Sequence, residues 1–243
     1  MNAFRAKKII SKILNKNYIL YEILQKINNR LGKKNTGKSL ISKDTKILID
    51  GYPRSANTFA LVAFNMAQKW EDKISDCYIS HHYHHPSLFI KAAKMKLPAL
   101  CLIRKPEEAI SSLIQRNSKW TKAMALNYYI DFYKSLIHLK EAIVFADFDL
   151  VTSNFSEIIK QVNNKFNQNF EIFEHTNETE KQCFDLIDKR NSQLNKSKKV
   201  NEHAVARPSS LREKNKNACS SYNYSEKLLL EKAQTIYHKV LSD

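Results

Sequence analysis

Residues 46–59, Lys-Ile-Leu-Ile-Asp-Gly-Tyr-Pro-Arg-Ser-Ala-Asn-Thr-Phe, constrain this chain more than any other stretch. A short apolar strand, Ile47 to Ile49, runs into a turn at Gly51 and Pro53. Small polar residues then lead into an apolar helix over residues 57–70. The first N–H groups of a helix have no internal partners and lie at the positive end of its dipole. A strand, turn and helix start in this order therefore form a seat for an anion. Arg54 adds a full charge, and Ser55, Asn57 and Thr58 add hydrogen-bonding side chains.

A second stretch matches a phosphate-binding pattern in letters alone. Gly32-Lys-Lys-Asn-Thr-Gly37-Lys38-Ser39 has Walker A spacing. The mechanism behind that spacing needs a strand before the glycines and a helix after the lysine. Here Tyr21 to Leu31 carries helical periodicity, and Leu40 to Asp50 leads through polar residues into a strand. This stretch reads as a connection between helix and strand.

The 243 residues suffice for one substantial core, and the 43% hydrophobic content is that of a folded globular chain. No run approaches the roughly 20 apolar residues that span a bilayer, and the N-terminus lacks the apolar core of a secretory signal. Cys77, Cys101, Cys183 and Cys219 are scattered without a CxxC pair, and Cys101 reads as a buried free thiol. A cytoplasmic setting is expected. The net charge of +16 comes from lysines spread along the whole chain. Such a surface attracts polyanions weakly without forming a groove, so no specific nucleic-acid partner is expected. The arginines are fewer, and Arg54, Arg104, Arg116, Arg207 and Arg212 fall mostly in motif-like contexts, where a forked donor suits phosphate.

Residues 1–40 read as a basic amphipathic helix and linker, and 41–243 as the α/β domain. The helix, over residues 4–31, places Ile9, Ile10, Ile13, Leu14, Leu20, Leu24, Ile27 and Leu31 near a 3.6-residue period. It is expected to pack on its own domain, with peripheral contact to an anionic membrane as the alternative. Further along, a strand is expected around Cys77 to Ser80, a helix over 87–96, and a buried strand over 97–103. A helix follows from Glu107 to Arg116, then a long helix around 121–140 and a strand from Ala142 to Ala146. Helices are also expected from Phe155 to Phe166, from Thr179 to Arg190 and over 225–241, with a long loop over 191–220. Strands alternating with helices imply a parallel sheet with ligands at the carboxyl ends of its strands. Two strand ends then matter, the loop from Gly51 to Thr58 and the segment from Arg104 to Ser112, which are expected to form two separate anion sites.

These two segments resemble the motifs of the sulfotransferases that use 3′-phosphoadenosine 5′-phosphosulfate (PAPS). The family's 5′-phosphosulfate loop is matched by Pro53-Arg54-Ser55-Ala56-Asn57-Thr58. Its 3′-phosphate motif is matched by Arg104-Lys105-Pro106, with Ser112 eight residues after the arginine. The resemblance covers about residues 46–116 and implies a single P-loop-like α/β domain with a central parallel sheet flanked by helices. It implies PAPS as sulfuryl donor, a hydroxyl or amine acceptor that could be a carbohydrate, and no required metal. Ala56 departs from the family's glycine, which strains the loop if that position needs φ > 0. Phe59 replaces a tryptophan beside the adenine and could still stack. The family's later Arg-Lys-Gly loop is not recognisable, and Arg207 and Arg212 are the substitute candidates for the 3′-phosphate.

Arg54 would stabilise the departing 5′-phosphate, and a histidine would take the acceptor's proton. The run Ser80-His81-His82-Tyr83-His84-His85 offers two candidates: the Ser-His pair points to His81, and the family's spacing points to His82. Bland readings stand beside these. The histidines could form a metal site or a surface loop, Arg104 could pair with Glu107 or Glu108, and Asp147 and Asp149 read as loop caps. Tyr128, Tyr129, Phe132 and Tyr133 read as core. Two other functions remain open: an ATP-using P-loop kinase or NTPase acting through 32–39, and a non-enzymatic protein that docks on anionic polymers or membrane surfaces.

Overall fold

The computed structural model describes residues 14, 17–30, 38–68, 78–195 and 221–242. Four strands, β1 (Ile47–Gly51), β2 (Ile79–His81), β3 (Ala99–Ile103) and β4 (Val144–Asp147), form one all-parallel sheet in the order β2-β1-β3-β4. The helices are α1 (Tyr18–Arg30), α2 (Asn57–Gln68), α3 (Pro86–Lys94), α4 (Pro106–Arg116), α5 (Lys122–Lys134), α6 (Phe148–Ser153), α7 (Phe155–Phe166), α8 (Asn177–Asn195) and α9 (Tyr224–Leu241). This is the α/β class expected, with helices on both faces of the sheet.

Strand side chains alternate between two cores, as the pleat requires. Ile47, Ile49, Leu100 and Leu102 face a layer built from α2, α7 and α8. Leu48, Cys101 and Ile103 face the opposite layer, where α3, α4, α5 and α9 supply Phe89, Ile110, Leu126, Phe132 and Val240. Gly51 ends β1 and does not form the turn expected of it. A Cβ at Gly51 would stand 2.1 Å from the Leu102 carbonyl oxygen, so only glycine lets β1 lie this close to β3.

Several boundaries differ from expectation. β2 begins at Ile79, with Cys77 outside the described residues, and α5 stops at Lys134, followed by a short 3-10 turn over Ile137–Leu139. The loop expected over 191–220 is helical as far as Asn195, because α8 continues past Arg190. The rest of that loop, including Arg207 and Arg212, lies outside the described residues, as do Ile9, Ile10, Ile13 and Leu31 of the expected N-terminal helix and most of the Walker-like stretch.

The two described residues of that stretch argue against a phosphate loop. Ser39 exchanges backbone hydrogen bonds with His81 at 3.3 and 3.0 Å, and residues 40–46 contain no helix. α1 packs through Tyr21, which is buried, and Glu22 pairs with Lys91 of α3 at 2.9 Å. Ile19, Leu20, Ile23 and Ile27 of α1 remain exposed. Among the described residues no helix is long and apolar enough to cross a membrane.

Candidate functional site

In the order β2-β1-β3-β4 the chain turns to opposite sides of β1, toward β2 first and β3 next. The crevice beyond the carboxyl ends of β1 and β3 is therefore a topological switch point, where the strand-end loops diverge and leave room for a ligand. Both motifs emerge there. Residues 52–56 leave β1 and enter α2, and Arg104 leaves β3 and enters α4 through Lys105 and Pro106.

The first loop is held in sparsely populated backbone conformations. Arg54 has φ 73° and Ala56 has φ 64°, so the alanine in place of glycine does carry the strain its position implied. Several contacts fix the loop. The Asn57 side-chain amide donates to the Tyr52 carbonyl at 2.9 Å, closing the turn on itself. The Tyr52 hydroxyl donates to the Ala125 carbonyl at 3.0 Å, and Ser55 is fully buried. Asn57 and Ser55 thus build the loop, while Arg54 and Thr58 are the side chains turned toward its other partners.

Those partners bring the separate motifs together. Arg54 Nε donates to Ser112 Oγ at 2.9 Å, and Arg104 Nη1 reaches the Arg54 carbonyl at 3.4 Å. The two segments expected to carry separate anion sites are thus in direct contact, because α4 starts beside the loop and Ser112 lies two turns in. Arg104 is also engaged: its Nε and Nη2 donate to Glu108 Oε2 at 3.1 and 2.7 Å, and its guanidinium lies 3.9 Å from the Phe148 ring centre. Of the alternatives open in the sequence, the pairing with Glu108 is the one formed.

Phe59 departs from its expected role as an adenine platform. Its side chain is 2% exposed and is packed among Phe155, Phe173, His175 and Phe184. Its position in the first turn of α2 turns it toward α7, α8 and the segment between them, so it serves the core and offers no open face.

The histidine run leaves β2 and folds back over the end of β1. His81 is buried as the last residue of β2, and its Nδ1 lies 2.8 Å from His82 Nδ1. His82 Nε2 lies 3.1 Å from Thr58 Oγ1, so His82 touches the first turn of α2. Burial, followed by the neighbouring His81 and His84, holds His82 well below the usual histidine range. His85 turns away, stacking on Tyr21 at 3.7 Å and bonding Ser87 at 2.7 Å; burial lowers it to about 4 against an opposing pull from Asp50. Among the described residues, no group of three or more His, Cys, Asp or Glu could hold a metal ion.

Two features were missed in the sequence. Asp50, fully buried, accepts from the backbone N–H of Gly51, Tyr83 and His84 at 2.9, 2.9 and 2.8 Å. Burial alone would raise its carboxyl, but His84 and these donors more than offset it and hold the pKa below the ordinary value. The aromatic run on α5 is core, as expected, and it also braces the site. The hydroxyls of Tyr128, Tyr129 and Tyr133 donate to the carbonyls of His84, Arg104 and Leu102. A polar tip on each buried ring was the available signal. Asp147 caps α6, in keeping with its reading as a cap, and accepts from Tyr237, whereas Asp149 lies in the first turn of α6 and pairs with Lys105.

A scan against protein-family models matches none, and a search of curated proteins finds no significant relative. Among solved structures the chain is similar to mouse sulfotransferase SULT7A1 complexed with PAP. The identity is 11% and the TM-score 0.45, over 84% of this chain and 88% of that one.

Proposed function

We propose that this protein is a sulfotransferase that moves a sulfuryl group from PAPS to a hydroxyl or amine acceptor, with carbohydrates the first acceptor class to screen. One observation carries the reading: the 2.9 Å hydrogen bond from Arg54 to Ser112, which joins the two motif segments at the switch point of the sheet. The surrounding side chains suit a nucleotide with phosphates on both sides of its ribose. Arg54, Thr58, Ser112 and Arg104 are donors, and Glu108 is the carboxylate already paired with one of them. Phe59 does not suit the adenine, which must find another wall.

In this reading Arg54 and the first turn of α2 neutralise charge developing on the leaving 5′-phosphate. Ser112 and Arg104 hold the 3′-phosphate, and the histidine run beside Thr58 receives the acceptor's proton. The test is calorimetric titration with adenosine 3′,5′-bisphosphate without metal, beside ADP with Mg²⁺. At least tenfold tighter binding of the bisphosphate is expected. Preference for ADP with Mg²⁺, or binding of neither, overturns the proposal.

A further inference from the structure

The resemblance directs attention to His81 and His82 as proton acceptors, but the geometry favours another histidine. His82 has both ring nitrogens engaged, Nδ1 with His81 and Nε2 with Thr58. It is also held well below the usual histidine range by burial. A base so depressed is poorly matched to work near neutral pH, because its affinity for a proton is low. His82 instead links the end of β2 to the first turn of α2.

His84 is placed differently. Its Nδ1 lies 2.8 Å from the Gly51 carbonyl oxygen and 2.9 Å from Asp50 Oδ1. Both atoms can only accept, Asp50 being ionised, so Nδ1 carries the proton and the lone pair of the neutral ring is at Nε2. Asp50 is fully enclosed, while the His84 side chain is 22% exposed, so the carboxylate is shielded and the imidazole is reachable. The buried carboxylate and the carbonyl both face Nδ1, which fixes the ring's orientation and leaves Nε2 as its accepting atom. The backbone is fixed as well. His84 sits at φ 53°, its N–H is donated to Asp50 and its carbonyl accepts from Tyr128. Strain held by that many contacts is what pre-organised sites retain. The ring lies 5.7 Å from that of His82, beside the loop that begins at Gly51.

We propose that Asp50 and His84 form the proton-accepting pair of this site, with His84 Nε2 the atom that takes the acceptor's proton. This rests on the sulfotransferase reading above. In the transfer the acceptor oxygen forms a bond to sulfur and its proton moves to Nε2. The bond from sulfur to the bridging 5′-phosphate oxygen breaks, its electron pair leaving on the phosphate. Asp50 is a positioning residue that fixes the tautomer and the orientation of the ring.

Nitrogen-15 NMR of the histidine rings in the full chain tests the pair without nucleotide or acceptor. Neutral His84 should be the Nδ1–H tautomer; an Nε2–H tautomer overturns the proposal. The functional arm uses His84→Asn, because asparagine tolerates positive φ and places an amide N–H near the position of Nδ1 while deleting Nε2. With PAPS and 4-nitrophenol as probe acceptor, kcat should fall about a hundredfold, while bisphosphate affinity stays within about twofold. His82→Asn should cost much less in kcat. Loss of turnover in His82→Asn with His84→Asn near wild type overturns the pair and leaves the sulfotransferase reading standing. Failure of the bisphosphate to bind wild type removes that reading, and the role proposed for His84 with it.

Discussion

Arg54 Nε and Ser112 Oγ, 58 positions apart in the chain, are joined by a 2.9 Å hydrogen bond across the crevice between the ends of β1 and β3. Each belongs to a different strand-end segment, and the bond makes one polar surface of the two. Arg54 also accepts from Arg104 through its carbonyl, so the loop after β1 and the start of α4 hold each other in place.

Removing the guanidinium should therefore cost more than removing the hydroxyl. Arg54→Ala is expected to weaken bisphosphate binding by about 2 kcal/mol, roughly thirtyfold, and Ser112→Ala by about 1 kcal/mol, roughly fivefold. Calorimetry on the two variants checks this. Equal affinity in wild type and Arg54→Ala would show that the loop after β1 is not the anion seat.

Glu108 occupies two of the donors of Arg104. A 3′-phosphate at Arg104 must share or displace that carboxylate, so Glu108→Gln is expected to tighten bisphosphate binding by about 1 kcal/mol, roughly fivefold. Weaker binding in this variant would mean instead that Glu108 holds Arg104 in its binding orientation.

The loop backbone gives a stability prediction independent of any ligand. Ala56 adopts φ 64°, a conformation that costs an L-residue about 1–2 kcal/mol and glycine almost nothing. Glycine's greater freedom in the unfolded chain offsets part of the gain, so Ala56→Gly should stabilise by about 0.5–1 kcal/mol. Gly51→Ala should destabilise by about 3 kcal/mol or more, since its Cβ would meet the Leu102 carbonyl oxygen at 2.1 Å. Urea unfolding of both variants measures the two signs.

His85 makes the fold acid-sensitive. Its folded pKa is lowered to about 4 by burial, against about 6.5 in an unfolded chain. Between these values the unfolded state binds the proton and the folded state does not. The stabilisation is complete above pH 6.5 and is lost as pH falls toward 4, by about 2 kcal/mol between pH 7 and 4.5. Asp50, depressed in the folded state, adds a further loss below its unfolded value of about 3.9. His85→Phe preserves a ring against Tyr21 and removes the titration, so its stability should fall less over that pH range. An unchanged fall in the variant would place the acid sensitivity elsewhere.

Much of the fold was legible from local pattern. The apolar run at 47–49 declared a strand and the run at 97–103 a buried parallel one, which begins two residues later at Ala99. Pro106 with Glu107 and Glu108 marked the start of α4, and Phe155 to Phe166 was bounded correctly because its capping and periodicity agree. The positive φ at Ala56 could be anticipated from the departure from glycine. Phe59 was misread because its position near the anion loop says nothing about which way its ring points; the helix phase turns it into the core. Glu108 was only one of two possible partners for Arg104 until α4 set its direction.

The sequence alone therefore determined the alternation of strands and helices, the strand, turn and helix start that place Arg54 between β1 and α2, and the presence of a histidine run after β2. These follow from periodicity, helix ends and charge, which act over a few residues. Tertiary structure decided which side chains meet. Asp50 reaches His84, 34 positions away, because β1 and β2 pair in parallel and the chain reverses through His82 at φ 61°. Arg54 reaches Ser112 because β1 and β3 lie side by side. Strand order and register are cooperative outcomes of packing two cores on one sheet, and no local signal encodes them.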